Sequence, residues 1–378
     1  MKATFVAAAM LSALALAACG GGSSSSSSSG SESSSSASSG SSTGSGGGEE
    51  SGGGGAKVTM INSGSRSDSS WTQSWFQGSE ESQQEQPESE VTYVDQLESG
   101  EALEQAVGAA LTQGANAVMI ATSQIPQALE KYGEQFPEAW ICDVESERER
   151  YLENVCTIEP EFVDGAFLAG VAAALATKTN HLGAVGAFET PTLTDQIEAF
   201  ILGARYINPE IKIDQVYTGS LVDSAKARAA AAAQYGAGAD IVFSAVDDAI
   251  RGIYSAAREQ HGLVIAQYTD QYEDAPDVVL TSVLYHLNLI SKIMINHAIK
   301  GDLEARPYVF SLNNGPYGEL APFRGKTGEA VDAADRKKIE GITKEIESGA
   351  IKVPGVKVLG KVGAGEEVDP SSVGGSAG

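Results

Sequence analysis

A chain of 378 residues with 25 Lys and Arg against 50 Asp and Glu, a net charge of −25, is long enough for two domains of ordinary size. Such acidity repels nucleic acid and anionic membrane surfaces, so neither nucleic acid nor a charged lipid face is expected as a partner. The four histidines, His181, His261, His286 and His297, show no metal-ligand spacing, and neither a metal nor a cofactor is expected.

Residues 1–18 read as a signal peptide: Lys2, an apolar run over 5–15, then small residues up to Cys19. An Ala-x-Ala-like end is compatible with plain secretion. Leu16-Ala17-Ala18-Cys19 followed by glycines resembles the lipobox of bacterial lipoproteins, in which the cysteine is acylated and becomes the first residue. The apolar run is too short to span a bilayer. After the cysteine, residues 19–56 are almost entirely Ser and Gly, which cannot bury a core and predict a flexible tether. Random-coil scaling gives it an end-to-end distance of roughly 30–36 Å. Residues 355–378 are again rich in Gly, Ser and acidic residues and read as a flexible tail. Cys142 and Cys156 remain, and two thiols in an exported chain suggest a disulfide, with two separate buried thiols as the alternative.

Between tether and tail, strand and helix patterns alternate. Residues 57–62 read as a strand, followed by a polar loop over 63–70 and a helix whose first turn carries Trp71 and Trp75. Strands follow at 91–94, 117–121, 139–144 and 155–158, with helices at 100–113 and 127–135. A long Ala-rich helix covers 161–177. The stretch 182–220 then predicts a complete β-α-β unit: a strand over 182–187 and a loop over 188–194 holding the breaker Pro191. Its helix has Ile197, Phe200, Ile201, Ala204 and Ile207 at spacings of three and four, and a second strand covers 211–217. Further helices are expected at 225–234, 249–259 and 287–300, and strands at 240–245, 263–267 and 279–283. Beyond 304 the pattern loosens until an amphipathic helix at 331–348. This alternation predicts an open α/β sheet in each of two series, divided near Glu159. Parallel sheets bind ligands beyond the carboxyl ends of their strands, which places the loop with Phe188 and Glu189 at a site. An ordinary loop with one aromatic filling a gap is the alternative there.

The lipobox, GAFLAGVAAALATKT, AFETP, AFILGARYINPEIKI, YTGSLVDSAKA, GADIVFSAVDD, LTSVL and SGAIKVP, in this order, resemble the basic membrane protein family over residues 57–354. These are substrate-binding lipoproteins of ABC importers that take purine nucleosides or bases. The resemblance implies a two-lobed type I periplasmic binding-protein fold, each lobe a parallel sheet flanked by helices, joined by three crossing strands near Glu159, Ser282 and Phe310. The N-lobe would comprise 57–158 and 283–309, and the C-lobe 159–282 and 310–354. It also implies an extracytoplasmic, lipid-anchored, monomeric protein with a small-molecule ligand, a permease and an ATPase as partners, and no enzymatic activity. A sensory lipoprotein using the same closure without transport is the other reading.

Nucleoside-binding members carry Asp-x-Ser-Phe-Asn after the first strand, where this chain has Asp68-Ser69-Ser70-Trp71-Thr72. Trp replaces Phe and the Asn is lost, and Trp71-Thr72 looks more like the subgroup that binds free bases. A Val-Asp-Ser-Asp segment that grips ribose is replaced by Gln267-Tyr268-Thr269-Asp270, which again favours a free base or another flat ring. Such a ligand needs apolar faces and directed polar groups at its rim. Trp71 and Phe188 are the expected faces, with Trp75 assigned to the core. Asp68, Asp247, Asp248, Tyr268 and Asp270 are the rim candidates. Asp247 and Asp248 have helix capping as their alternative, and Asp270 the holding of its own turn.

Overall fold

A computed structural model describes residues 55–97, 99–145 and 151–354. The signal peptide, Cys19, the tether up to 54 and the tail from 355 lie outside the described residues.

The first sheet is built from β1 (Lys57–Ile61), β2 (Glu90–Val94), β3 (Ala117–Ile120), β4 (Trp140–Val144) and β5 (Val155–Pro160), with α1 (Trp71–Glu85), α2 (Gly100–Thr112) and α3 (Ala128–Gln135) between its first four strands. The chain then enters a second series: α4 (Val163–Ala176), β6 (His181–Gly186), α5 (Pro191–Ile207), β7 (Lys212–Tyr217), α6 (Ser224–Gly236), β8 (Ile241–Ala245), α7 (Ile250–Gln260), β9 (Leu263–Tyr268) and β10 (Val279–Leu284). α8 (Leu287–Lys300) and β11 (Pro307–Phe310) return to the first sheet, where α8 packs on α1 and β11 pairs with β5. β12 (Glu319–Leu320), α9 (Gly325–Gly328) and α10 (Ala333–Glu347) complete the second.

The strand orders are β11-β5-β4-β3-β1-β2 and β12-β10-β9-β8-β6-β7. All pairs are parallel except β10 with β12. Central strands such as Ala117–Ile120 and Ile241–Ala245 are buried at every residue. That is why they read as unbroken apolar runs rather than alternating ones: helices cover both faces of a parallel sheet. The chain passes between the two sheets three times, at residues 161–162, 285–286 and 311–318. Phe162 and Tyr285 meet there edge to face at 4.7 Å, and the Tyr285 hydroxyl donates to the Phe162 carbonyl at 3.1 Å. The second passage falls a few residues beyond the expected Ser282, because β10 keeps pairing with β9 as far as Leu284.

Two small residues set the packing of the second unit. A Cβ on Gly170 would meet the Phe200 carbonyl oxygen at 2.0 Å, and one on Gly203 would meet that of Phe167 at 1.9 Å. α4 and α5 therefore touch backbone to backbone. In the first unit Cys142 and Cys156 are direct partners in the β4–β5 ladder, with α-carbons 4.5 Å apart, and their sulfurs are bonded.

One element starts earlier than its pattern suggested. Pro191 does not break a helix; it opens α5. A first-turn residue has no intrahelical partner for its N–H, so proline's missing donor costs nothing and its fixed φ suits the position. The loop after β6 is thereby shortened to residues 187–190.

Candidate functional site

In each sheet the strand that comes first in sequence lies between the next two, so the strand order reverses there. β1 lies between β2 and β3, and β6 between β7 and β8. Connections leaving such a strand diverge to opposite faces and open a crevice at its carboxyl end, the switch point where open α/β sheets bind ligands. The loops at these two crevices are 62–70 and 121–127 in one unit, 187–190 and 246–249 in the other. Trp71, Asp68, Phe188 and Asp247 all lie on or beside them.

Across the gap the two units touch. Thr269 donates its hydroxyl to the Ser69 carbonyl at 2.9 Å, and Thr192 donates to a Glu145 carboxylate oxygen at 2.7 Å. The Trp71 ring meets the edge of Tyr268 at 5.7 Å, with Phe162 at 6.2 Å and Trp75 at 5.7 Å around it. Its indole N–H donates to the Ala121 carbonyl at 3.0 Å, which fixes the ring against the β3 loop. Tyr268 is held at φ +74°, a conformation that bulky L-residues rarely adopt and that concentrates at functional sites. Phe162 and Tyr285 pack its ring from behind.

The rim candidates divide. The Asp68 carboxylate accepts the backbone N–H groups of Ser70, Thr72 and Gln73 at 2.9–3.0 Å, so it holds the start of α1. Thr72 is buried, its hydroxyl 3.4 Å from the Asn62 side-chain oxygen. Asp248 pairs with Arg251 at 2.8 Å, and Asp270 accepts the Tyr272 N–H and pairs with Arg324, whose guanidinium lies over the Tyr272 ring. Asp247 is different. Its carboxyl accepts no hydrogen bond among those described and does not cap α7. Burial, reinforced by the charges of Asp68 and Asp248, pushes it up to about 8, so it is mostly protonated at neutral pH. A neutral carboxylic acid both donates and accepts.

Phe188 is 42% exposed, and no aromatic ring lies against it among the described residues. The C-terminal unit's ring facing Trp71 is Tyr268. Pattern reading also passed over Gln196, which is fully buried beside the Tyr268 hydroxyl on the inward stripe of α5. The available signal was a lone amide between Leu193, Ile197 and Phe200, at spacings that face a core.

Two parallel α/β units, joined by three passages and facing each other through their switch points, define a solute-binding protein of the type I periplasmic class. The arrangement matches a solute-binding protein of an ABC transporter system from Aeropyrum pernix K1 with a TM-score of 0.71 at 17% identity, covering 79% of this chain and 94% of the other. A transcriptional activator of the comK gene from Bacillus halodurans gives 0.66 at 19% identity. Residues 56–357 match the model of the Bmp family, described as ABC transporter substrate-binding protein PnrA-like, and the chain belongs to that family. Among curated relatives, the ABC transporter nucleoside-binding protein BmpA of Lactococcus lactis subsp. cremoris is 29% identical over 209 residues, 50% of this chain and 58% of BmpA. A purine-binding protein of Brucella abortus is 25% identical over 232 residues, 60% of this chain and 64% of that protein. Both matches thus span less than two thirds of the relative. The family is one of substrate-binding proteins of the ABC-transporter type. No helix among the described residues is long and apolar enough to cross a membrane.

Proposed function

We propose that this protein captures a purine base between its two units, with a nucleoside as the weaker ligand, and delivers it to an ABC permease driven by an ATPase. The observation that carries this is Tyr268. By the resemblance, this phenol stands where nucleoside-binding members hold a ribose-gripping carboxylate, and the ring packs edge-on to Trp71. A ribose presents hydroxyls that call for a carboxylate; a ring in that place favours a flat, sugar-free ligand. The nucleoside-binding and purine-binding relatives support the ligand class. Trp71 and Phe188 supply the apolar faces, and Asp247 and Tyr268 the rim. Asp68, Thr72, Asp248 and Asp270 act by fixing the loops that carry these groups.

The protein is a monomer tethered by an acylated Cys19. Cys19→Ala releases it from the membrane fraction with ligand affinity unchanged; retention on membranes contradicts the anchor. A thermal-shift screen of purines, pyrimidines, nucleosides and unrelated sugars tests the ligand class. A ligand at about 100 times its Kd stabilises by about 2.7 kcal/mol, and a shift with sugars but with none of the bases rejects the reading. Sensing without transport is the second reading, and likeness to the transcriptional activator protein med of Bacillus subtilis, 26% identical over 226 residues, favours it.

A further inference from the structure

We infer that Gln196 is a specificity-determining residue of this site, its side-chain amide reading the hydrogen-bonding edge of a planar nucleobase beside the Tyr268 hydroxyl. The inference rests on the purine reading and deepens it.

Gln196 sits in the second turn of α5, the helix that begins directly at the crevice loop 187–190. Its neighbours on the inward stripe, Leu193, Ile197 and Phe200, are buried and apolar. Gln196 itself is 0% exposed, and its amide has the Tyr268 hydroxyl as a hydrogen-bonding neighbour, with no other well-formed bond among the described residues. The polar group next to it is the Tyr268 hydroxyl, which also lies within the fields of Asp247 and Glu145, one at the carboxyl end of β8 and the other at that of β4. The amide therefore belongs to the same cluster as the groups lining the crevice.

A buried amide whose hydrogen-bonding neighbour is a single phenol hydroxyl leaves much of its donor and acceptor capacity unmet, which is costly where Met or Leu would fill the same space. A ligand edge gives one. The amide offers a donor and an acceptor side by side in one plane. A nucleobase presents the complement: N–H beside C=O in an oxopurine, or an amino group beside a ring nitrogen in adenine. A glutamine pairs bidentately with such edges. Sugar hydroxyls lack that fixed planar pair. With Tyr268 alongside, the edge meets three polar atoms from the C-terminal unit, while Trp71 contacts its face from the other.

The test is calorimetric titration of wild type, Gln196→Met and Gln196→Glu with adenine, hypoxanthine and guanine, with circular dichroism and Tm recorded on each ligand-free protein. Gln196→Met removes both polar atoms at nearly constant volume. We expect its Tm to be equal to or above wild type and its affinity for the best base to fall at least tenfold. Gln196→Glu keeps an acceptor and loses the donor, and should change the order of preference among the three bases. A Gln196→Met protein with a lowered Tm and unchanged affinity overturns the inference, because the amide is then structural. If Gln196→Met fails to fold, an unchanged order of preference in Gln196→Glu overturns it instead. If wild type binds none of the bases, the purine reading fails and this inference falls with it, an outcome distinct from the other two.

Discussion

Removing the bridge between Cys142 and Cys156 should loosen the first unit by an amount that chain length sets. The two cysteines are 14 residues apart in sequence, face each other in the β4–β5 ladder and are fully buried. Closing a loop of about 15 residues takes about 3 kcal/mol from the unfolded chain's conformational freedom. The double variant Cys142→Ala/Cys156→Ala leaves two small apolar side chains in the same places and so isolates that effect. For a urea slope of about 3 kcal/mol/M, the midpoint of the transition that includes the first unit should fall by about 1 M. The bridge also roots the segment that carries Glu145, the acceptor of Thr192 across the gap, so base affinity should weaken modestly while far-UV circular dichroism stays native. Because the sulfurs are buried, dithiothreitol should act only once urea has opened the fold. An unchanged urea midpoint, or two alkylatable thiols in the native protein, would refute the reasoning.

The ring faces make a second prediction: Trp71→Ala and Phe188→Ala should each weaken base binding by about 1–3 kcal/mol, measured by calorimetry. Trp71→Phe, which keeps a ring but loses the bond to the Ala121 carbonyl, should weaken it less; equal affinity in Trp71→Ala and wild type assigns that ring to packing alone. Stability should also depend on pH. Asp164, pushed up to about 6 by burial and by Glu161 beside it, and Asp247, up to about 8, both hold protons more tightly folded than unfolded. Their contribution is complete below about pH 4 and is lost as pH rises, through about 6 for Asp164 and about 8 for Asp247. The urea midpoint should therefore decline from pH 5 to pH 8, and Asp247→Asn should flatten the part between 6 and 8; an identical slope in that variant contradicts the assignment.

Much of the fold was legible because helices on both faces of each sheet turn strands into short apolar runs. Residues 117–120 and 241–245 announce themselves that way, and Ile197, Phe200 and Ala204 mark α5. What the pattern missed depends on partners distant in sequence. β12 is two residues that pair only because β10 is nearby, and β11 needs β5. Pro191 misled because its effect depends on position in a helix, which composition does not reveal. The site was partly legible. Chain order alone put Trp71 just past one crevice loop and Phe188 on the other. Whether a carboxylate faces a ligand or its own backbone is decided by local geometry, so Asp68 and Asp247 look equivalent as letters and differ in the fold. Gln196 and the Trp71–Tyr268 contact required α5 and β9 to be placed first.

The central claim is that the crevice takes a flat base and that Tyr268 is what disfavours the sugar. Calorimetric titration of wild type and Tyr268→Asp with adenine, guanine, adenosine and guanosine tests it directly. The account predicts that wild type binds a free base more tightly than its nucleoside and that Tyr268→Asp reverses the order by restoring a carboxylate for the ribose hydroxyls. Wild-type protein that binds none of the four, or that prefers the nucleosides, contradicts it.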